Sequence, residues 1–271
     1  MAEPVSSDLA TCVADWVSAR TRRATTPQLL FVSGAQGIGK STALTQITAG
    51  SDGKIVALSL DDVYLTKAER MQLAREVHPL FATRGPPGTH DLGLLNRVLD
   101  DLLGAGPQSE TLLPVFDKAR DERAPRENWR KVCGRPDVVI VEGWLMGVSP
   151  DPSAPQAPAL NAVEAEDAGG TWRAWQERCL AGEYARLWDR ADGFLHLDAP
   201  GFETVLDWRM QQEEGNLGQP GQRLSDARAA WVARFIQHYE RLTRRMLAGY
   251  RRPGAAIKVN PLREAVSLMQ D

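Results

Sequence analysis

Short apolar runs alternate with amphipathic stretches along most of this chain, which is the pattern of an α/β protein. A run that is apolar at nearly every position predicts a strand buried on both faces, as in a parallel sheet. Five segments have this character, at 29–34, 54–60, 136–144, 193–199 and 255–260. Because helical patterns separate them, we expect a doubly wound, mostly parallel α/β sheet flanked by helices.

Helical periodicity fills most of the intervals between these runs. The predicted helices cover 7–23, 40–49, 66–77, 91–103, 171–189, 201–213 and a long stretch that ends near 247. Three segments lack the periodicity and are rich in turn-forming residues, at 78–91, 149–170 and 212–226. We interpret 149–170 as an exposed excursion, and we expect residues 1–271 to form a single domain in which 1–27 is an N-terminal helical extension.

Composition excludes several classes of function. The net charge is −3, so no basic surface for nucleic acid is indicated. No apolar run reaches the length of a membrane span. The three cysteines lie far apart, which is typical of a reduced cytosolic chain without a disulfide framework. We therefore expect a cytoplasmic protein with neither nucleic-acid nor membrane partners; a monomer is compatible with the sequence, which leaves the oligomeric state open.

The first predicted strand leads directly into a phosphate-binding motif, G-x-x-x-x-G-K-[ST]. Its glycines let backbone N–H groups converge on phosphate oxygens, and the following helix directs its positive N-terminal end at the same anion. In such a loop, Lys40 reaches the β- and γ-phosphates and the Ser41 hydroxyl ligates Mg²⁺. The predicted ATP contacts are Gly34, Ala35, Gln36, Gly37, Ile38, Gly39, Lys40, Ser41 and Thr42.

Acidic residues follow two further strands, where ligands collect in a doubly wound sheet. Asp61 and Asp62 come directly after the second apolar run. A carboxylate there can accept a proton from an attacking hydroxyl or hold a metal ion, although an acidic pair after a strand also commonly caps the next turn. Glu142 ends the third run, where an acid can complete the Mg²⁺ shell together with Ser41.

Taken together, these motifs resemble the uridine kinase–phosphoribulokinase group of P-loop kinases. Within that group the sequence is similar to the plant-type D-glycerate 3-kinases and their bacterial and fungal relatives, over most of the chain from about residue 28. The matching pieces, in the same order, are SLDDVYLT (59–66), RGPPGTHD (84–91), LPVFDKARDERAP (113–125), VIVEGWLMGV (139–148) and DWRMQQE (207–213).

Two departures from the family pattern are visible. Val63 stands where a phenylalanine is common, and the segment after Lys118 is shorter than in plant and fungal members. The second departure falls where the acceptor would bind. It therefore leaves other acceptors open beside D-glycerate, namely pantothenate, a nucleoside or a sugar phosphate.

The resemblance implies roles for individual residues. Asp61 is implied as the catalytic base, assisted by Lys40 and by Arg209, which closure of a lid at 212–226 would bring to the transferring phosphate. The carboxylate of a small hydroxy acid favours a cationic partner, and Arg84, His90 and Lys118 are candidates among which the sequence does not choose. The implied acceptor-binding residues are Asp62, Tyr64, Arg84, Thr89, His90, Asp91, Asp117 and Lys118.

The expected function is ATP- and Mg²⁺-dependent transfer of the γ-phosphate to a hydroxyl of a small molecule, by resemblance the 3-hydroxyl of D-glycerate. A regulatory GTPase is disfavoured because the chain has no N-K-x-D element. A transport or helicase ATPase is disfavoured because the third strand ends in Glu-Gly rather than Asp or Asp-Glu. A nucleotide-binding regulatory protein of the P-loop class remains an alternative.

Overall fold

The computed structural model describes residues 6–216, 218 and 223–269. Its central sheet contains β1 (Gln28–Gly34), β2 (Ile55–Ser59), β7 (Val138–Gly143), β8 (Gly193–Asp198), β9 (Ala255–Val259) and β10 (Ala265–Met269). The strand order is β10-β9-β8-β1-β7-β2. The strands β1, β2, β7, β8 and β9 pair in parallel. Strand β10 is an antiparallel edge strand that the sequence did not predict. The predicted mostly parallel sheet is confirmed.

Helices cover the sheet. The described helices are α1 (Leu9–Thr21), α2 (Lys40–Ala49), α3 (Lys67–Glu76), α4 (Leu92–Leu103), α5 (Ala162–Ala165), α6 (Thr171–Cys179), α7 (Ala185–Trp188), α8 (Phe202–Asn216), α9 (Asp226–Gln237) and α10 (Glu240–Leu247). A π-helical turn at Leu180–Tyr184 joins α6 to α7. There are also two small antiparallel sheets of two strands each: β3 (Glu110–Leu113) with β6 (Arg130–Cys133), and the hairpin of β4 (Phe116–Asp117) with β5 (Glu122–Arg123). Within the described residues, no helix is long and apolar enough to cross a membrane.

The register of the parallel strands determines where polar side chains meet. Strand β1 lies between β7 and β8, and its residues 30–32 are completely buried. In the β1–β7 pair Val32 lies opposite Glu142, and in the β2–β7 pair Ser59 lies opposite the same residue. The carboxyl ends of β1, β2 and β7 therefore lie side by side, so that the polar residues after them share one edge of the sheet.

Two boundaries differ from the sequence prediction. The segment 212–226 was predicted as a loop, but α8 continues to Asn216; residues 217 and 219–222 lie outside the described residues, so a lid there stays a prediction. The long helix predicted up to about 247 is broken at His238 and Tyr239. At this break the Tyr239 ring packs edge-on against Trp144, with 4.9 Å between ring centroids, an interaction that helical periodicity does not reveal.

The segment 149–170, predicted as an exposed excursion, is anchored rather than free. Ala154 and Val163 are completely buried, and the carboxylates of Glu164 and Asp167 are 2% and 1% exposed. Asp167 accepts hydrogen bonds from the Arg173 guanidinium and from two backbone N–H groups at the start of α6. Charged residues can be buried when they are paired, so a few paired side chains anchor this segment while many of the residues between them are exposed.

We expect Asp167→Ala to lower the free energy of unfolding by about 3–5 kcal/mol, because it removes the carboxylate that neutralises the buried Arg173 guanidinium and leaves that group only backbone carbonyls. The matched control is the preceding residue, Glu166→Ala, which removes a half-exposed ion pair with Arg234 and should cost less than about 1 kcal/mol. Urea denaturation of both variants measures the difference. Equal losses would contradict the anchoring role of Asp167.

Candidate active site

The phosphate loop, residues 34–41, has the backbone that its glycines predict. Gly37 and Gly39 have φ values of +77° and +107°, which residues other than glycine rarely adopt. The Lys40 ammonium lies over the loop and donates to the carbonyl oxygens of Gly34 and Ala35 at 2.7 and 3.2 Å. The loop is therefore preshaped, and its lysine occupies the mouth where phosphate oxygens would replace those carbonyls as partners.

Glu142, on β7, connects that strand to the phosphate loop. Its side chain is 9% exposed; its Oε1 accepts a 2.8 Å hydrogen bond from Ser41 Oγ, and its Oε2 lies 3.8 Å from Lys40 Nζ. A hydroxyl and a carboxylate oxygen side by side are the hard donors that Mg²⁺ takes in combination with phosphate oxygens and waters. The residues at this position therefore fit a nucleotide-bound Mg²⁺.

Asp61 and Asp62 lie in a short 3₁₀ turn, Leu60–Val63, directly after β2. Asp62 turns back on the chain and accepts a hydrogen bond from the Ser59 N–H at 3.1 Å, as part of a capping box. Asp61 faces the other way and makes two side-chain contacts. Its Oδ1 accepts a 2.5 Å hydrogen bond from the Tyr64 hydroxyl, and its Oδ2 lies 2.7 Å from Lys118 Nζ.

Because the two carboxyl groups lie in different surroundings, their pKa values differ. Burial works to raise the pKa of Asp61, but the charge and hydrogen bond of Lys118 and the Tyr64 hydroxyl outweigh it and lower the pKa to about 2. Burial raises the pKa of Asp62 to about 6, and the nearby charges of Asp61 and Glu142 act in the same direction. Ser59, which directly precedes this turn, lies opposite Glu142 in the β2–β7 register, so the predicted metal-binding and acceptor-side residues lie on neighbouring strand ends.

His90 lies beside Tyr64. The two residues pair across an isolated antiparallel bridge, and their rings stack with centroids 4.9 Å apart. His90 Nδ1 is 2.6 Å from the Tyr184 hydroxyl, which already accepts a hydrogen bond from the Gly88 N–H. We assign the hydroxyl proton of Tyr184 to this contact, which puts the imidazole proton on Nε2, a buried atom without a partner among the described residues. Burial lowers the pKa of His90 to about 4, so the ring is neutral at pH 7.

Arg84 is held by an acidic residue that the sequence analysis did not single out. Its guanidinium pairs with the Asp121 carboxylate and lies over the Phe116 ring, 5.6 Å from the centroid. Asp121 also pairs with Arg70, a fully buried arginine on α3. The positive charge of Arg84 is therefore partly neutralised before any substrate arrives.

The acceptor loop, residues 84–91, is fixed by aromatic side chains from distant parts of the chain. The Tyr239 hydroxyl donates to the Arg84 carbonyl at 2.7 Å, and Trp144 Nε1 donates to the Gly85 carbonyl at 3.2 Å. Tyr184 holds the Gly88 N–H from a third direction. Sequence analysis passed over these residues; only the position of Trp144, directly after the V-E-G motif, was a signal that could have found one of them.

Three predicted acceptor-site residues have partners within their own loops. The Thr89 hydroxyl is completely buried and donates to the Pro86 carbonyl. Asp91 caps the start of α4 and lies 3.2 Å from the Arg123 guanidinium. Asp117 accepts two backbone N–H groups of its own turn, each at 3.0 Å. These bonds give all three a structural role, and their contact with an acceptor stays a prediction.

Arg209 lies on α8 and is paired in this structure. It donates to Glu213 Oε2 at 2.8 Å and lies 5.6 Å from the centroid of the Phe235 ring on α9. The same carboxylate, 2% exposed, also pairs with Arg228. Glu213 thus ties α8 to α9 at either end of the predicted lid.

Comparisons with known proteins find similarity to kinases. No protein-family model matches the chain. The chain is 33% identical over 224 residues to an uncharacterized kinase, mug58, of Schizosaccharomyces pombe, and the match covers 79% of this chain and 78% of that protein. It is 27% identical over 231 residues to the chloroplastic D-glycerate 3-kinase of Arabidopsis thaliana, covering 79% of this chain and 47% of the relative.

A solved structure shares the fold over nearly the whole chain. The D-glycerate 3-kinase of Cryptococcus neoformans var. grubii superposes with a TM-score of 0.79 at 25% identity, covering 97% of this chain and 99% of that one. The identity to mug58 and its coverage establish the relationship in sequence, and this superposition establishes it in structure. The chain therefore belongs to the family of P-loop kinases that includes the plant-type D-glycerate 3-kinases and their bacterial and fungal relatives.

Proposed function

We propose that this protein is an ATP- and Mg²⁺-dependent kinase that phosphorylates the 3-hydroxyl of D-glycerate. The observation that carries the proposal is the position of Asp61. Its carboxylate is held by Lys118 and Tyr64 directly after β2, whose last residue, Ser59, lies opposite Glu142 of the Ser41–Glu142 pair. The proposal treats the chain as one kinase domain with a lid at 212–226, located in the cytoplasm.

The acceptor side suits a small anion with hydroxyl groups. Of the three candidate partners for a carboxylate, Arg84 is engaged by Asp121 and His90 is neutral. Lys118 is 59% exposed, and its ammonium has three donors, of which Asp61 uses one. We therefore assign the glycerate carboxylate to Lys118. The Nε2–H of His90 remains as a donor for a substrate oxygen.

Phosphoryl transfer needs little activation of the nucleophile, since its transition state is loose and catalysis is mostly positioning and charge stabilisation. Asp61, ionised throughout the physiological range, accepts the hydrogen bond of the attacking hydroxyl and aligns its oxygen with the γ-phosphorus. As the new O–P bond forms, the bond from the γ-phosphorus to the β,γ-bridging oxygen breaks, ADP leaves, and the hydroxyl proton passes to the Asp61 carboxylate. Lys40 moves from the loop carbonyls to the phosphate oxygens, and Arg209 is the candidate for the transferring phosphate. When bound, Mg²⁺ would be held by Ser41 and Glu142 and would neutralise charge on those oxygens.

The substrate assignment is tested by following ATP consumption with D-glycerate, pantothenate, uridine and ribulose 5-phosphate as acceptors. We expect turnover with D-glycerate and the product 3-phospho-D-glycerate. Lys40→Ala, measured in parallel, identifies any contaminating ATPase because it removes the phosphate-binding cation. Turnover of another acceptor, with glycerate inert, would refute the substrate assignment but not the kinase activity. The absence of any acceptor-dependent activity would refute both.

We expect Asp61→Asn to lower kcat roughly a hundredfold or more, the usual loss when a positioned base is removed. The affinity for ATP should be unchanged, since Asp61 bonds to Tyr64 and Lys118 rather than to the phosphate loop. Steady-state kinetics and calorimetric titration with ATP measure the two quantities. A near-normal kcat would remove Asp61 from this role.

The raised pKa of Asp62 makes a separate prediction about stability. A carboxyl whose pKa is about 6 in the folded protein and 3.8 when unfolded favours folding while protonated, so its contribution is present below pH 4 and is lost as the pH rises through 6. Asp62→Asn keeps an oxygen for the Ser59 N–H but carries no charge. Relative to wild type, the variant should gain about 2 kcal/mol in unfolding free energy between pH 4 and 7.

Urea denaturation at four pH values between 4 and 7 measures this gain. Asp101→Asn, which removes an exposed aspartate from α4, is the matched control and should give a curve parallel to wild type. If the Asp62→Asn curve were also parallel to wild type, the raised pKa would be wrong.

A further inference from the structure

Arg263 occupies an unusual backbone position in the turn between β9 and β10. Its φ is +66°, a conformation that costs free energy for a residue with a side chain. The turn is held in place by Asn260, whose side-chain oxygen accepts the N–H groups of Leu262 and Glu264 at 2.9 and 3.0 Å. Such a strained residue persists only where its surroundings over-determine it, so the contacts of its side chain are of interest.

The Arg263 guanidinium connects three elements. Its Nε donates to the Gly37 carbonyl of the phosphate loop at 2.6 Å, and its Nη2 donates to Gln211 Oε1 on α8 at 2.9 Å. It also lies 5.3 Å from the centroid of the Trp208 ring on the same helix. Trp208 in turn donates its indole N–H to the Pro261 carbonyl at 2.9 Å, which ties α8 back to the turn that carries Arg263.

Gly37 is the point where these contacts converge. A Cβ added at this glycine would lie 2.7 Å from the Cβ of Trp208, so α8 packs directly on the backbone of the loop. The carbonyl of the same residue is the acceptor of the Arg263 bond. One peptide of the phosphate loop is therefore held by packing from α8 and by a charge-assisted hydrogen bond from the β9–β10 turn.

We propose that Arg263 is a positioning residue of the nucleotide site, which holds the phosphate loop in its binding conformation and locks it to α8. This inference rests on the proposed function only in that the loop binds ATP, and it does not depend on the identity of the acceptor. A loop that is already ordered loses less conformational freedom when its N–H groups close on phosphate oxygens, and this gain in affinity disappears when the loop is released.

The test is ATP affinity measured by calorimetry with Mg²⁺ and without any acceptor. Arg263→Gly is the decisive variant, since glycine adopts a φ of +66° without strain and the backbone of the turn need not change. We expect its affinity for ATP to fall roughly fivefold to thirtyfold, as expected for loss of a charge-assisted hydrogen bond. Arg263→Lys, which keeps the charge and one donor to Gly37, should recover part of that loss.

Leu262→Gly is the matched control, because it places glycine one residue earlier in the same turn at a side chain that is 76% exposed. It should bind ATP as wild type does, and an equal loss there would show that turn flexibility alone explains the effect and overturn the proposal. ATP affinity of folded Arg263→Gly within twofold of wild type would also overturn it. If that variant does not fold, Arg263→Gln, which has no charge, takes its place with the same two outcomes.

Lys40→Ala distinguishes this proposal from the proposed function. Unchanged ATP affinity in Lys40→Ala and in Arg263→Gly alike would mean that the loop is not the nucleotide site. A loss in Lys40→Ala alone would refute only the role of Arg263.

Discussion

A buried carboxylate at the end of a central strand is the constraint around which the site is arranged. Glu142 is 7% exposed, and an ionised group in that setting is costly unless it is paired. Ser41 and Lys40 from the first turn of α2 supply the partners. This requirement holds the phosphate loop against β7. It also brings the lysine and serine of the motif to a strand end that carries an acid.

The acceptor side is organised by a second charge, at Asp61, and depends more on distant parts of the chain. Lys118 comes from the β4–β5 hairpin. The acceptor loop at 84–91 is held by Trp144, Tyr184 and Tyr239, which come from three other segments. A phosphate loop is a local device that a dozen residues can build. The predicted acceptor site instead draws on segments that are far apart in the chain.

The prediction from sequence worked where one local interaction decides the outcome. The apolar runs gave the parallel sheet because burial on both faces demands them, and the meeting of Ser41 with Glu142 followed from the rule about strand ends. It was less informative for polar loop residues. Thr89, Asp91 and Asp117 look like substrate ligands in a list of residues, yet each already has partners in its own turn. Nothing in the local sequence shows whether a polar side chain is available to a substrate or already has a hydrogen-bond partner.

The sequence by itself determined the fold class, the phosphate loop and the order of acids along the sheet edge, because periodicity and motif spacing encode short-range geometry. The tertiary structure alone decided which charges are paired. It placed Asp121 against Arg84 and Lys118 against Asp61, and it carried Arg263 across 226 positions of the chain to the carbonyl of Gly37. These contacts join residues far apart in sequence, and hydrogen bonds of this kind follow from the packing of whole elements rather than from any pattern within one.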